Sequence, residues 1–544
     1  MPTLRWLTRD DDIRAAETVP YRLLEEVPEL GFGDRDTGNM LIQGDNLDAL
    51  KALLPFYAGQ VQCIYIDPPF NTGQAFEHYD DNLEHSIWLG LMHGRLHHLR
   101  ELLHETGTIA IHLDAEEIAY CTVLMDEIFG RKNRVGLCTF KQSSVSGPKS
   151  INPGIVSICS YVLIYSKNKS RWKSNKVYRA RGRDDRYSNF IHNVDQPYTE
   201  WKTIPLSQAI ENQFGESIKE LKKKFNVNYE NKIHDFVISH CKSVVRTARV
   251  KEKDIADEAK DALRASEMDG SKFFCFERPG QTTQFFYKGE QVAIYEKKVR
   301  TIDGLRVTAE RVSEMWDDLL SNNLHKEGGV SFPKGKKPEA LVKRVFEMFS
   351  DPGDLVLDSF LGSGTTAAAA HKMDRRYIGL EIGVQAETHC RPRLVRVVDG
   401  DQTGISKAVD WKGGGGFRFY RLGASVFDET GQIRPDIEFP VLAAHVWFSE
   451  VRSPWSNPDN LSPVLGIHHG RAYALLYNGI LGDKTASGGN VLTRRTLAVI
   501  RAALPEGFIG PVTIYGERSA LADASLVREQ ITFKQTPYDV KARA

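Results

Sequence analysis

Two stretches of strand–helix alternation, one on either side of residues 170–310 where that rhythm is lost, set the strongest limit on how this chain can fold. In the first, MLIQGD (40–45) reads as a short strand and NLDALKALLPFY (46–57) as a helix. VQCIYI (61–66) alternates only weakly, as a strand covered on both faces does. Leu89, Met92, Leu96, Leu99 and Leu103 recur at steps of three and four, which predicts an amphipathic helix. GTIAIHLD (107–114) is the next strand, and 115–129 the next helix, with Ile118, Cys121, Met125 and Ile128 on one face. Two apolar strands within 136–166 flank a polar loop, KQSSVSGPKSINPG. The rhythm resumes with a helix at PEALVKRVFEMFS (338–350), a strand at LVLDSF, a helix at GTTAAAAHKM and a strand at RRYIGLEI. Such alternation argues for an α/β fold: a Rossmann-like parallel sheet with helices on both faces.

At 544 residues the chain exceeds one ordinary core. The expected organisation is an N-terminal extension (1–39), a first core half (40–169), an inserted domain (170–310) and a second core half (311–410). A glycine-rich linker, WKGGGGF, then leads to a smaller C-terminal α/β unit (417–544). The insert is expected to hold helices at 206–225 and 251–266 and a hairpin in which QFFY and VAIYE flank KGEQ. The C-terminal unit has strands AYALLYN and PVTIYG around a helix, TRRTLAVIRAAL.

No run of eighteen apolar residues occurs, and the first residues are charged rather than apolar, so the expectation is a cytoplasmic protein without a membrane span. The seven cysteines form no C-x-x-C pair, which argues against a zinc site or a disulfide framework; no metal site is expected. Formal net charge is zero, yet residues 131–186 carry fourteen Lys and Arg against two acids. A DNA-facing surface and a solvated, flexible insert both account for that segment.

Three motifs carry chemistry. Asp67-Pro68-Pro69-Phe70 follows the strand VQCIYI directly. An exocyclic amine on an aromatic ring is a poor nucleophile, because its lone pair is delocalised. A carboxylate and a carbonyl that accept its two N–H protons would turn that lone pair toward an electrophile. Asp67 can supply the first acceptor and the Pro68 carbonyl the second, held by the stiff Pro-Pro backbone. Phe70 can stack on a base turned out of a helix. A plain loop with two prolines fits the same letters. Second, Leu357-Asp358-Ser359-Phe360-Leu361-Gly362-Ser363-Gly364-Thr365-Thr366 ends a strand and opens a helix. Glycines there allow close backbone approach to a ligand, and Glu381 at the next strand's end is placed to hold ribose hydroxyls. No Gly-Lys follows, so this is not a Walker loop. Third, Phe332-Pro333-Lys334-Gly335-Lys336-Lys337-Pro338-Glu339 sets lysines just before a helix, where they could meet a carboxylate; a basic loop is the simpler account.

Taken together, these motifs resemble the β class of DNA amino-methyltransferases, and most of all the modification subunits of type III restriction–modification systems. GDNLDALKALLP and IYIDPPFNTG resemble the run into that family's catalytic motif. FPKGKKPEALVKRV and VLDSFLGSGTTAAAAHKMDRRYIGLEI resemble its cofactor motifs. The order, catalytic motif first and cofactor motif last, distinguishes the class from protein glutamine methyltransferases. The resemblance implies that Asp67, Pro68, Pro69 and Phe70 hold a flipped base in double-stranded DNA. It implies S-adenosyl-L-methionine (AdoMet) beside Asp45, Lys337, Asp358, Phe360, Gly362, Ser363, Gly364, Thr365 and Glu381. It also implies a target-recognition role for the insert, and a second protomer or a restriction subunit as partner. Asp before Pro-Pro goes with adenine N6 in this family, and Ser with cytosine N4. Phe70 departs from the family's usual Tyr, which removes a hydroxyl and leaves the stacking face. Adenine N6 methylation is the leading expectation; cytosine N4 methylation and a catalytically idle DNA-binding subunit are the alternatives.

Overall fold

The computed structural model describes residues 3–70, 84–145 and 154–537, apart from 252, 254, 278–279, 281, 320–323, 333–334, 431, 457, 459 and 483–488. The end of IYIDPPFNTG, most of the loop KQSSVSGPKSINPG, and Pro333 and Lys334 therefore lie outside the described residues. The chain forms two compact units, one of residues 1–175 with 313–544 and one of residues 176–312.

The first unit is built on one large mixed sheet. Its strands are β1 (Arg22–Glu26), β2 (Met40–Gln43), β3 (Val61–Ile66), β4 (Leu103–Leu113), β5 (Arg134–Lys141), β6 (Cys159–Ser166), β7 (Met315–Trp316), β8 (Leu355–Asp358), β9 (Arg376–Glu381) and β10 (Gly416–Ser425). They lie in the order β1-β10-β2-β9-β8-β3-β4-β6-β5-β7, with Phe32–Gly33 pairing beside β10. From β10 to β4 every neighbouring pair is parallel, so the loops after β3 and β8 emerge at the same edge. The helices are α1 (Arg9–Thr18), α2 (Asn46–Tyr57), α3 (His85–Leu102), α4 (Ile118–Met125), α5 (Glu339–Phe349), α6 (Thr365–Lys372) and α7 (Arg391–Val398). One face of the sheet meets α2, α3 and α4: Ile64, Ile66, Ile109 and Ile111 pack on Leu50, Leu53, Trp88, Met92, Leu96 and Leu124. The opposite face carries α5 and α6. Burial on both faces is why β3 and β8 read as nearly continuous apolar runs.

Two boundaries differ from expectation. Gly416 opens β10 rather than ending a linker, because Phe417 and Phe419 are fully buried in the core sheet. A side chain at Gly416 would meet the Asp34 backbone nitrogen at 2.3 Å, so glycine is needed there for close strand approach. The first 39 residues are likewise part of the core unit: β1 pairs with β10, and Leu24 and Trp6 pack against the main apolar cluster. Beyond β10 lie a helix (Phe439–Val451) and a four-stranded sheet. Three of its strands, Arg471–Leu475, Val512–Gly516 and Ile531–Gln535, are parallel, with helices Arg494–Ala502 and Asp523–Arg528 as crossovers.

The second unit begins and ends within a few residues of the expected insert. Its six-stranded antiparallel sheet carries helices on one face, through Phe190, Val244 and Ala293. Tyr198, Trp201 and Phe273 cover the other face. The hairpin at 284–294 forms as expected. The single helix expected at 206–225 is two helices, because Gly215 sits at φ 71° and Ser217 caps a new start.

The basic segment is less of a patch than its residue count suggests. Arg134 pairs with Tyr165 across β5 and β6, and Thr108 with Ser166 across β4 and β6. Arg131, Lys132, Lys169 and Arg171 therefore lie at the end of the sheet away from residue 67. In the second unit, Arg179 and Arg181 both pair with Glu310, and Arg186 pairs with Asp184.

Candidate functional site

The register between β3 and β8 builds the site. Val356 lies opposite Cys63 and Leu357 opposite Ile64, in parallel. Asp358 therefore ends β8 level with Tyr65, and Asp67 follows two residues further on the adjacent strand. One cleft is lined by Tyr65, Asp67, Phe332, Gly335, Lys337, Asp358, Phe360, Gly362, Ser363 and Thr365.

On the prolyl side, Trp88 on α3 donates its indole N–H to the Pro69 carbonyl at 2.8 Å, which fixes the turn to the helix below it. Asp67 receives the ammonium of Lys337 at 2.6 Å, and the same ammonium stands 4.3 Å from the centre of the Phe70 ring. Behind Asp67 is a residue that the motif reading does not contain. His112 on β4 is fully buried, with Nδ1 at 2.9 Å from the Tyr65 hydroxyl and Nε2 at 2.6 Å from Ser160 Oγ. Its Nδ1 is 3.9 Å from the Asp67 carboxylate. Burial, reinforced by the charge of Lys337, holds this imidazole well below the usual histidine range, so it is neutral. A polar side chain inside the apolar run IAIHL is the signal that could have singled it out.

On the glycine side, Asp358 accepts the Phe360 backbone N–H at 2.8 Å. Burial raises its carboxyl to about 7, and the nearby charges of Asp67 and Glu381 push the same way. Glu381 accepts the Gly362 backbone N–H at 2.7 Å. Gly362 and Gly364 have φ of 56° and 78°, and Gly364 caps α6 in a left-handed conformation. Thr365 donates its hydroxyl to the Lys337 carbonyl at 3.2 Å, and Ser363 lies 3.0 Å from Thr365 between the side-chain oxygens. Arg393 on α7, wholly buried, donates to the Thr365 hydroxyl at 2.7 Å and to Glu339 at 2.8 Å. Glu339 in turn holds Lys372, itself paired with Asp401. A buried ionic cluster thus underpins the glycine turn, and neither Arg393 nor Lys372 stood out in the sequence.

Asp67, Phe360, Gly362, Ser363, Thr365, Asp358 and Lys337 thus come together at one cleft. Asp45 has a different setting: it caps α2 through the Leu47 N–H at 2.8 Å and pairs with Arg95 at 3.1 Å. Its neighbour Asn46 reaches the glycine turn, donating to the Ser359 carbonyl at 2.6 Å. Of the lysine run, Lys336 is pinned inward, donating to the Val330 carbonyl at 2.9 Å, while Lys337 crosses the cleft.

A parallel α/β sheet with a prolyl turn and a glycine turn on adjacent strands defines a ligand-binding α/β protein of the doubly wound type. The N6/N4 DNA methylase family matches residues 61–389, more than half of the chain, and the chain belongs to that family. It is 34% identical to the probable HindVI Mod subunit of a type III restriction–modification enzyme from Haemophilus influenzae, over 72% of this chain and 55% of that one. It is 27% identical to the EcoP15I Mod subunit from Escherichia coli, over 69% and 62% respectively. The matched stretch thus spans little more than half the length of these relatives. Among solved structures, the M1.HpyAVI–SAM complex is 13% identical, covering 65% of this chain and 98% of that one, with a TM-score of 0.31. No helix among the described residues is long and apolar enough to cross a membrane.

Proposed function

We propose that this chain transfers a methyl group from AdoMet to an exocyclic amino group of a base in double-stranded DNA, adenine N6 ahead of cytosine N4. The single observation that carries the proposal is the β3–β8 register, which sets the Asp67 turn and the Asp358–Thr365 turn at one cleft. Relatives named as Mod subunits support a place in a restriction–modification system, with DNA and a restriction subunit as partners in the cytoplasm. The Asp before Pro-Pro supports adenine.

The residues present suit a cationic nucleoside cofactor. Asp358 is wholly buried, and that burial, with smaller like-charge contributions from Asp67 and Glu381, raises its carboxyl to about 7. A sulfonium and an α-ammonium would relieve that repulsion. Asp358, Gly362, Gly364 and Glu381 would hold the nucleoside, and Lys337 and Thr365 the amino-acid end. When bound, the cofactor supplies a methyl group already activated by its positive sulfur.

The protein then has to orient a nitrogen. Asp67 accepts one amino N–H and the Pro68 carbonyl the other, which turns the lone pair out of conjugation. Phe70 stacks on the base and holds its plane. His112, neutral and fixed by Tyr65 and Ser160, backs the Asp67 carboxylate without protonating it. After transfer the nitrogen carries a proton too many, and Asp67 is the acceptor in contact with it. Positioning and electrostatic preorganisation are the whole of this catalysis.

The test is to incubate the purified chain with DNA and AdoMet, digest to nucleosides and weigh the products. The mass of N6-methyl-2′-deoxyadenosine is expected. N4-methylcytosine would move the target to cytosine, and methylated protein with unmodified DNA would overturn the proposal.

A further inference from the structure

We infer that the Lys337 side chain sits in the target base's seat in the cofactor-free enzyme, and that the cofactor's carboxylate draws it off, so that AdoMet must bind before a base can be turned in. The inference rests on the proposed seat at Asp67 and Phe70.

The ammonium of Lys337 makes both contacts the base is meant to make. It donates to Asp67 at 2.6 Å, as the amino group would, and stands 4.3 Å from the Phe70 ring centre, where the base would stack. Both partners of the ion pair are shielded, with side chains 14% and 17% exposed, so water does not readily replace either one. A neutral base cannot displace this lysine unaided. Its arrival would strand an ammonium without a counter-charge in a partly dry cleft.

A second anion changes that balance, and the backbone of Lys337 is placed to offer the choice. Its carbonyl accepts the hydroxyl of Thr365, the first residue of α6 after the glycine turn, at 3.2 Å. Lys336 beside it is tied to the Val330 carbonyl at 2.9 Å, and α5 starts two residues later. The main chain is therefore fixed at the cofactor turn while the side chain reaches across to the catalytic turn. Rotation about side-chain bonds alone exchanges one carboxylate for another.

The recognition site is first read by mapping methylated bases in a host that expresses the chain. A duplex with 2-aminopurine at the target position then reports base extrusion as a rise in fluorescence. For the unaltered protein, sinefungin, which carries the amino-acid carboxylate, is expected to raise the signal several-fold. 5′-Methylthioadenosine, which lacks that carboxylate, is expected to leave it near the cofactor-free level. Lys337→Met should give the high signal without any cofactor analogue, and Lys337→Arg should restore dependence on sinefungin. Thermal melting of both variants checks that each is folded. High fluorescence from the unaltered protein alone, equal effects of the two analogues, or continued dependence in Lys337→Met would overturn the inference and leave the proposed methyl transfer standing. Mapped methylation with no extrusion signal in any arm would overturn the base seat and this inference together.

Discussion

Arg393 offers the sharpest test of what holds the glycine turn in place. Its guanidinium is fully buried and donates to Thr365, Glu339 and Glu327 at 2.7, 2.8 and 3.3 Å. Replacement by Met keeps most of the volume and removes the fork of donors. Lys372 would then be left to face Glu339 and Asp401, with Glu327 beside them. Stranding a buried carboxylate in this way costs about 3–5 kcal/mol. A domain of ordinary stability has about 5–15 kcal/mol in all, so the variant should unfold at a visibly lower urea midpoint. Because Thr365 loses its partner as well, AdoMet affinity should fall even where the variant is folded. Arg393→Lys should recover only part of both, since one ammonium cannot serve three acceptors in a plane. The double variant Arg393→Met with Glu339→Met should be more stable than Arg393→Met alone. Urea titration and calorimetric binding of sinefungin read the two effects separately. A loss below about 1 kcal/mol in Arg393→Met, inside the range of an exposed ion pair, would refute the claim that the cluster supports the turn.

Other expectations follow from single contacts. Asp67→Asn should lower the transfer rate by about 10²-fold or more while sinefungin affinity stays within a few-fold, measured by radiolabel transfer and calorimetry; equal loss of both would merge the two proposed sites. Gly364→Ala should weaken cofactor binding and cost about 1–2 kcal/mol, because φ is 78° and its Cβ would lie 3.2 Å from the Cys390 backbone; an unchanged melting temperature would contradict this. Asp358, raised to about 7, binds a proton in the folded protein between pH 4 and 7 that the unfolded chain has already lost. Its contribution to stability therefore falls as pH rises through that window and is flat above it. A cationic cofactor favours the ionised form, so affinity should drop below pH 7 by at most about tenfold per unit, and Asp358→Asn should flatten that profile. His112→Phe should leave the Tyr65 and Ser160 hydroxyls unsatisfied, lowering the transfer rate with little change in cofactor affinity; an unaltered rate would leave His112 as packing alone.

Local pattern carried the core elements because each has its own period. Leu89, Met92, Leu96 and Leu99 are all buried on α3, as their spacing requires, and the apolar run of β3 reflects cover on both faces. The strand–helix rhythm is lost over 170–310, and the second compact unit spans residues 176–312. The C-terminal boundary failed for a physical reason. Four glycines look like a flexible join, yet here glycine serves close packing, and Phe417 and Phe419 beyond them are core residues. Charge counting failed in the same way, since a count along the chain does not know which arginine will meet Glu310 across a sheet.

The residues of the cleft divide along the same line. Asp67 and the glycines are legible because their chemistry is local: a turn of fixed shape places a carboxylate, a carbonyl or a backbone N–H without help from elsewhere. Lys337, His112 and Arg393 act across 270, 45 and 28 residues of sequence, on Asp67, Asp67 and Thr365 respectively. Nothing in its own neighbourhood selects Arg393 over other arginines, whereas the lysine run before α5 and the polar break in IAIHL mark Lys337 and His112 without saying what they meet. The parallel register of β3 with β4 brings His112 behind Asp67, and that of β3 with β8 brings Asp67 beside the glycine turn that Lys337 and Arg393 contact. A motif found in one-dimensional order can therefore name groups that line the cleft, while the partners those groups meet become visible only once the chain is folded. The Lys337–Asp67 contact is the clearest instance, since it joins the first motif in the chain to the run before the last.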